Sequence, residues 1–417
     1  MEDVETLPGS GSHSGNHGWL PMAALLFALI AEGFDLQAAN FAAPGIVKAF
    51  GINKAEAGPL LSASLLGVLF GAALIGPLGD RFGRKRLIIG GCAIYGVLSL
   101  LAALATHLTQ LIVLRFLIGL GLGGVLPNAL ALASELSRPG REATAAGLIG
   151  IGITFGAMVA GLVAAALMPT HGWQSVFVVG GLMPIAIVVA LQFLLPESPA
   201  FLTRNPASER RPRSTGPAPL FRDGRGGRTA AIWLIFTAVL MCVYLLSGWI
   251  PLLLNQSGFS SRGASLVGTA YQGGGVIGGI VASLMLHRSG WNVVAMFAGS
   301  ACLTMVLLVW GASATLVLVA GVVAAGFFVT GTQNAINGAG GASYEAGIRS
   351  SGLGWALGVG RIGSVVGPLV GSLAVLLGMR EARYLFALPI VPLAVAALAA
   401  LWLERRASLD STSSTPD

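Results

Sequence analysis

Twelve apolar runs, each long enough to cross a bilayer, dominate this 417-residue sequence. A membrane-spanning helix needs about 20 mainly apolar residues, whereas the strands of outer-membrane barrels alternate apolar and polar side chains. Because the runs are continuously apolar, we predict an all-α membrane protein with twelve transmembrane helices. The predicted spans are 19–43, 58–79, 87–105, 108–134, 143–168, 173–195, 229–254, 263–286, 293–313, 315–342, 350–378 and 384–403.

The composition agrees with this prediction and excludes other classes of protein. Hydrophobic residues make up 55% of the chain and charged residues 10%, against roughly 25% charged residues in a soluble domain. The 60 glycines follow no three-residue period, which excludes a collagen. The net charge of +7 comes from arginines in short loops between apolar runs, so we expect no nucleic-acid partner.

Lysine and arginine are distributed unevenly between the two sides of the predicted membrane domain. The side that carries both chain termini has 17 of them, and the opposite side has five. Cytoplasmic loops are enriched in these residues. We therefore predict a multi-pass protein of the inner (cytoplasmic) membrane with both termini in the cytoplasm.

The longest polar break contains seven arginines and separates six predicted helices from six. The two halves resemble each other at a separation near 207 residues, where "NFAAPGI" corresponds to "GWIPLLL". Such a duplication predicts two six-helix bundles related by a pseudo-twofold axis, with the substrate site between them. The predicted parts are a tail over 1–18, a bundle over 19–196, a central loop over 197–228, a second bundle over 229–404 and a tail over 405–417.

Four ionisable side chains fall inside the predicted spans: Glu32, Asp35, Arg115 and Arg361. Each costs about 3 kcal/mol or more within a bilayer, so such residues point to function. Glu32 and Asp35 share one face of the first helix. Similar depths allow an Asp35–Arg115 pair, which is either structural or a transport element. Arg361 has no acid partner at its depth within its own half, so its guanidinium is suited to a substrate carboxylate.

Two further groups of side chains are candidates for a role in function. Polar and aromatic side chains at span centres could line a substrate cavity: Phe34, Tyr244, Trp249, Gln272, Gln333, Asn334, Asn337 and Trp355. Side chains in loops and at helix ends could act in gating: Asp80, Arg81, Gly83, Arg84, Glu135, Arg141, Glu345 and Arg349. We expect Asp80 to cap the third helix and Glu135 to pair with Arg141. We also expect an ion pair between Glu345 and Arg349.

Several segments resemble the major facilitator superfamily. The loop "GPLGDRFGRKRLI" resembles the one between that superfamily's second and third helices, and "RFLIGLGLGGVLPN" and "PESPAFL" resemble two further elements. The segment "EGFDLQAANFAAPGI" is similar to the aromatic acid:proton symporters, especially transporters of 3-(3-hydroxyphenyl)propionate and 3-phenylpropionate. The resemblance implies the major facilitator fold. It also implies important roles for Glu32, Asp35, Asp80, Arg115, Arg349 and Arg361.

We therefore expect proton-coupled uptake of an aromatic monocarboxylate by alternating access, with Arg361 and Arg115 among the substrate-binding residues. Burial disfavours a charged carboxyl, so Glu32 or Asp35 could carry the proton. The alternative is a proton-coupled drug or metabolite efflux pump of the same fold, and a sensor on a transporter scaffold is a third class. Since the sequence has no Walker loop, catalytic triad or hydrolase-type carboxylate dyad, we expect no enzyme activity. We also expect a monomer, with no cofactor other than protons as coupling ion.

Overall fold

The computed structural model of this chain describes residues 19–138, 141–202, 216–222, 224–311, 314–345, 348–379 and 381–413. Within these residues, twelve helices are long and apolar enough to span a membrane, which confirms the predicted all-α fold. The predicted tail over 1–18 and part of the central loop lie outside the described residues. We number the spans α1 (Leu20–Phe50), α2 (Lys54–Leu74), α3 (Arg84–Ala103), α4 (Leu108–Leu136), α5 (Gly147–His171), α6 (Gln174–Leu194), α7 (Gly226–Gln256), α8 (Ser261–Leu286), α9 (Gly290–Gly311), α10 (Thr315–Ala342), α11 (Ser351–Leu376) and α12 (Ala382–Leu409).

Helix α1 is longer than its sequence predicts. We expected the span to end at residue 43, but the helix continues through Pro44 to Phe50. Membrane helices tolerate an internal proline where neighbouring groups satisfy the freed backbone. The helix ends at Gly51, which has a φ of 62° and donates its N–H to the Val47 carbonyl. A left-handed residue of this kind is a common helix C-cap, and glycine adopts it without steric cost.

Close glycine contacts hold equivalent helix pairs together in the two halves of the chain. Helix α1 packs on α5 in the first half, and α7 packs on α11 in the second. A Cβ atom added at Gly156 of α5 would lie 1.9 Å from the Ile30 carbonyl oxygen of α1. One added at Gly363 of α11 would lie 2.1 Å from the Thr237 carbonyl oxygen of α7. The same pairing six helices apart agrees with two bundles related by a pseudo-twofold axis.

Helices α2 and α11 join the two bundles at the helix ends remote from the chain termini. Ser62 Oγ donates a hydrogen bond of 2.8 Å to the Val365 carbonyl oxygen. Further along the same helices, the Gly58 N–H donates to Ser372 Oγ at 3.0 Å. The Ser372 hydroxyl in turn donates to the Ala55 carbonyl oxygen. Side chains and backbone therefore interlock across the boundary between the bundles.

Three more helix pairs bring the bundles together on that side. The Phe41 ring of α1 lies beside Gly268 of α8, and a Cβ atom at Gly161 of α5 would lie 2.2 Å from Thr269 Oγ1 of α8. Helix α1 also approaches α7, where such an atom at Gly248 would lie 3.8 Å from Asn40 Oδ1. The structure is thus closed on the side opposite the chain termini.

The contact between α1 and α5 gives a prediction about stability. Gly156→Ala places a methyl group against the α1 backbone, so we expect the helices to move apart at a cost of about 1–3 kcal/mol. A thermal melt of the purified protein measures this loss. Gly147→Ala in the same helix is the matched control, because nothing lies within 4 Å of its added Cβ atom. Equal melting temperatures for both variants would contradict the close packing.

Candidate functional site

A fully buried ion pair lies inside the first bundle. Arg115 Nη1 of α4 lies 2.8 Å from Asp35 Oδ2 of α1, and both side chains are at most 1% exposed. Ser99 Oγ of α3 donates to Asp35 Oδ1 at 2.9 Å, and Arg115 Nη2 donates to Ser64 Oγ of α2 at 2.8 Å. The pairing that the helix depths allowed is therefore present. It joins four of the six helices of this bundle.

Glu32 lies one turn before Asp35 on α1 but has a different environment. It is buried, and its Oε2 atom has no hydrogen-bond partner among the described residues. Arg361 of α11 interacts with it electrostatically from the opposite bundle. No ion pair between described residues joins the two side chains. The sequence predicted no acid at the depth of Arg361 within its own half, and the acid that interacts with Arg361 belongs to the other bundle.

Arg361 lies directly inside the contacts that close one side of the protein. It precedes Val365 by four residues, or about one helical turn, and the Val365 carbonyl accepts the hydrogen bond from Ser62. The Arg361 side chain is partly exposed. Each bundle therefore contributes one charged group, Glu32 or Arg361, to the region next to the closed end. This arrangement can hold an anion at the guanidinium and a proton at the carboxylate.

Two of the aromatic candidates are used for helix packing instead of facing a cavity. Phe34 is fully buried, and its ring lies 3.3 Å from the position of a Cβ atom at Gly180 of α6. The Trp249 indole N–H donates to the Pro368 carbonyl oxygen at 3.0 Å, and the ring lies against Gly371. These contacts tie α1 to α6 and α7 to α11. The two rings are consequently occupied by the fold in this state.

The other cavity candidates differ in how far they are exposed. Tyr244, Gln333 and Trp355 are partly exposed and Asn337 is exposed, whereas Gln272 is buried. Asn334 Nδ2 donates to the Thr330 carbonyl oxygen of its own helix at 3.1 Å. Trp355 stacks on Trp233, with ring centres 6.2 Å apart. Tyr244, Gln333 and Asn337 are therefore the candidates most open to a ligand.

The charged side chains at the helix ends assemble around Glu135 with partners other than those expected. Glu135 pairs with Arg84 and accepts a hydrogen bond from Ser198 Oγ, whereas we predicted a pair with Arg141. Arg84 also lies 3.0 Å from Asp80, which sits in the short helix Leu78–Phe82. The reason is spatial, because α3 begins where α4 ends, while Arg141 is exposed beyond the following turn.

Glu197 has the capping role that we expected of Asp80. The Lys85 N–H at the start of α3 donates to Glu197 Oε1 at 3.0 Å. Gly83 precedes the helix with a φ of 97°, and a Cβ atom there would lie 2.5 Å from Glu197 Oε2. Glycine thus accommodates both the backbone and the carboxylate. We did not predict this role for the acid of "PESPAFL", although a carboxylate stabilises a helix N-terminus.

The corresponding charges of the second bundle also have unexpected partners. Glu345 pairs with Arg225 at 3.2 Å, and Arg349 Nε donates to the Tyr344 carbonyl oxygen at 3.3 Å. The predicted Glu345–Arg349 pair is therefore wrong. In the first bundle, Arg81 is exposed and lies over the Phe82 ring at 5.4 Å. The ion pairs of Glu135 with Arg84 and of Glu345 with Arg225 each lie within one bundle.

Buried amide and hydroxyl groups on α1 and α7 were missed by the sequence reasoning. Asn40 Nδ2 donates to Gln37 Oε1, and both side chains are buried. Ser247 Oγ of α7 is buried without a partner among the described residues. The signal was present in "QAAN", which begins two residues after Asp35. Amides in a membrane span are costly unless they bond across helices or line a cavity.

Two six-helix bundles with ionisable groups facing each other between them define a membrane transporter. The chain belongs to the Major Facilitator Superfamily, whose family match covers residues 25–344.

Similar proteins include transporters of aromatic acids. The gallate transporter of Pseudomonas putida is 33% identical over 409 residues, which cover 92% of this chain and 91% of that protein. The 4-hydroxybenzoate transporter PcaK of Pseudomonas aeruginosa is 33% identical over 416 residues and covers 92% of both chains. The 3-(3-hydroxy-phenyl)propionate transporter of Escherichia coli (strain K12) is 36% identical over 369 residues, which cover 88% of this chain and 89% of that protein.

A solved structure supports the fold independently. The crystal structure of a D-xylose-proton symporter has a TM-score of 0.70 and 15% sequence identity, and it covers 92% of this chain and 96% of its own. At this identity the likeness shows the shared fold alone.

The buried ion pair gives a second prediction about stability. Removing one partner of such a pair typically costs about 3–5 kcal/mol, because the other charge stays buried. We therefore expect Asp35→Asn and Arg115→Met to lower the melting temperature of the purified protein substantially. The double variant should melt closer to wild type than either single variant. Additive losses in the double variant would show that the two side chains act independently.

Proposed function

We propose that this protein takes up an aromatic monocarboxylate together with protons, by alternating access across the cytoplasmic membrane. The observation that carries the proposal is Arg361, a partly exposed guanidinium next to the closed end that interacts electrostatically with Glu32 of the opposite bundle. Similar transporters are named after gallate, 4-hydroxybenzoate and 3-(3-hydroxyphenyl)propionate. Each of these compounds combines an aromatic ring with one carboxylate. A guanidinium matches a carboxylate through two parallel hydrogen bonds.

In this proposal Arg361 holds the substrate carboxylate and the aromatic ring lies among partly exposed side chains. Tyr244 of α7 and Gln333 and Asn337 of α10 offer hydroxyl and amide groups to ring hydroxyls. Arg361 is accessible to an anion because its side chain is partly exposed. Arg115 does not bind the substrate carboxylate in this proposal, since its charge is already balanced by Asp35.

Glu32 is the proposed proton carrier. A charged Glu32 attracts the Arg361 guanidinium and competes with the substrate anion for it. A proton on Glu32 removes this competition, so the anion and the proton are bound together. Asp35 is the weaker candidate, because it accepts hydrogen bonds from both Ser99 and Arg115. Its proton uptake would leave the Arg115 charge buried and unbalanced.

The closed contacts support alternating access with a defined starting state. Ser62–Val365 and Gly58–Ser372 hydrogen bonds join the bundles on the side opposite the termini. The clusters around Glu135 and Glu345 stay within single bundles on the other side. With both termini in the cytoplasm, as proposed, the closed side is the outer side of the membrane. Rocking of the bundles about the Glu32–Arg361 level would open the outer side.

The substrate assignment predicts a charge-specific loss of affinity. Arg361→Ala should weaken binding of 3-(3-hydroxyphenyl)propionate about a hundredfold, because truncating one partner of a hydrogen-bonded charge pair costs roughly 2–5 kcal/mol. Arg361→Lys should recover part of the affinity, since it keeps the charge and loses the fork. Competition against uptake of the labelled acid measures both variants.

The amide of the same substrate is the ligand control, and Arg383→Gln at the exposed Arg383–Glu381 pair is the variant control. The amide should bind wild type weakly and be almost indifferent to Arg361→Ala. Equal losses for acid and amide would mean that Arg361 only holds helices together.

The coupling assignment predicts that Glu32→Gln separates accumulation from exchange. In proteoliposomes with an acid exterior, wild type should accumulate the labelled acid against its gradient, and Glu32→Gln should not. The variant should still exchange internal for external substrate, because Arg361 is intact. Glu381→Gln, which removes an exposed acid, is the matched control and should accumulate normally.

Gradient-driven accumulation by Glu32→Gln at the wild-type level would overturn the role of this acid. Accumulation that requires an acid interior would identify an antiporter, which is the efflux alternative.

A further inference from the structure

A pocket of about 440 Å³ lies between the start of α7 and the end of α12, away from the Glu32–Arg361 site. We call it the basic pocket, because Arg225, Arg228 and Arg406 line it together with Leu403 and Leu409. Helix α7 begins there and α12 ends there. The pocket therefore lies at the level of the membrane surface on the side of the chain termini.

Among the residues that the structure describes, the basic pocket carries more positive charge than neighbouring carboxylates balance. Arg225 pairs with Glu345, a side chain that is 80% exposed and lies at the end of α10. No ion pair between described residues includes Arg228 or Arg406. The Arg406 guanidinium lies over the Trp402 ring at 4.5 Å, and both side chains lie beside Gly227. Two arginines on different helices are thus available to one anionic group.

Apolar side chains lead from the basic pocket to the outer face of α12. Leu403 is buried at its wall, whereas Leu409 and Leu398 are each 67% exposed. Trp402 is also exposed, as tryptophans often are at the boundary between membrane and water. A ligand that contacts all of these groups needs a negative head and an apolar body.

We propose that the basic pocket binds the phosphate group of an anionic phospholipid from the surrounding leaflet. Arg228 and Arg406 hold the phosphate oxygens, since charge-assisted hydrogen bonds from guanidinium groups suit phosphate. The acyl chains lie along α12 beside Leu398 and Trp402. Basic pockets at the ends of membrane helices recognise such headgroups. Free phosphate satisfies the arginines but leaves the apolar side chains uncovered.

The test measures lipid binding to the purified full-length protein in detergent after removal of bound lipid. Phosphatidylglycerol, phosphatidylcholine, glycerol 3-phosphate and inorganic phosphate are titrated separately, with the melting temperature as one readout. Native mass spectrometry counts the bound lipid molecules as a second readout. The variant is Arg228→Gln/Arg406→Gln. Its control is Arg262→Gln/Arg405→Gln, which removes the same charge at two exposed arginines that do not line the pocket.

We expect phosphatidylglycerol to raise the wild-type melting temperature more than phosphatidylcholine and to remain bound in the mass spectrum. The pocket variant should bind it about thirtyfold more weakly, and the control should match wild type. Equal binding by wild type and the pocket variant would overturn the proposal. So would equal stabilisation by phosphatidylcholine, or stabilisation by inorganic phosphate or glycerol 3-phosphate at the affinity of the lipid.

Discussion

The Asp35–Arg115 ion pair is the interaction on which the first bundle depends. Each charge alone would be costly in a membrane interior, and at 2.8 Å each balances the other. Ser99 and Ser64 extend the pair to α3 and α2, so one network fixes α1 against three neighbours. Glu32 is held in place by that same helix. The ion pair therefore positions the acid that faces Arg361.

Helix backbones lie very close together at glycines within each bundle, and this packing lets each bundle act as a rigid unit. At Gly156 and Gly363 the helices lie closer than any other side chain permits, in equivalent pairs of the two halves. Contacts between the bundles include hydrogen bonds between serine side chains and backbone groups on the side opposite the chain termini. Such polar contacts can separate when water reaches them, whereas the packing inside each bundle stays. This difference provides a physical basis for rocking motions of whole bundles.

The charged groups at the helix ends show where reasoning along the chain fails. Glu135 was matched with Arg141 and Glu345 with Arg349 because these residues are near each other in sequence. Their partners are 51 and 120 positions away, at Arg84 and Arg225. Helix packing brings together helix ends that are far apart in the sequence. The sequence alone does not give the distances between those ends in the folded protein. The same reason explains why Glu197 and not Asp80 caps α3.

The sequence by itself determined the class of fold and the small set of charges that matter. Apolar length defined twelve helices, and the high cost of a buried charge singled out Glu32, Asp35, Arg115 and Arg361. Only the tertiary structure decided which charges face each other. It paired Asp35 with Arg115 inside one bundle and set Glu32 against Arg361 across two. Hydropathy measures the preference of each side chain for the membrane interior. The electrostatic partner of a charged side chain depends instead on how helices from both halves pack.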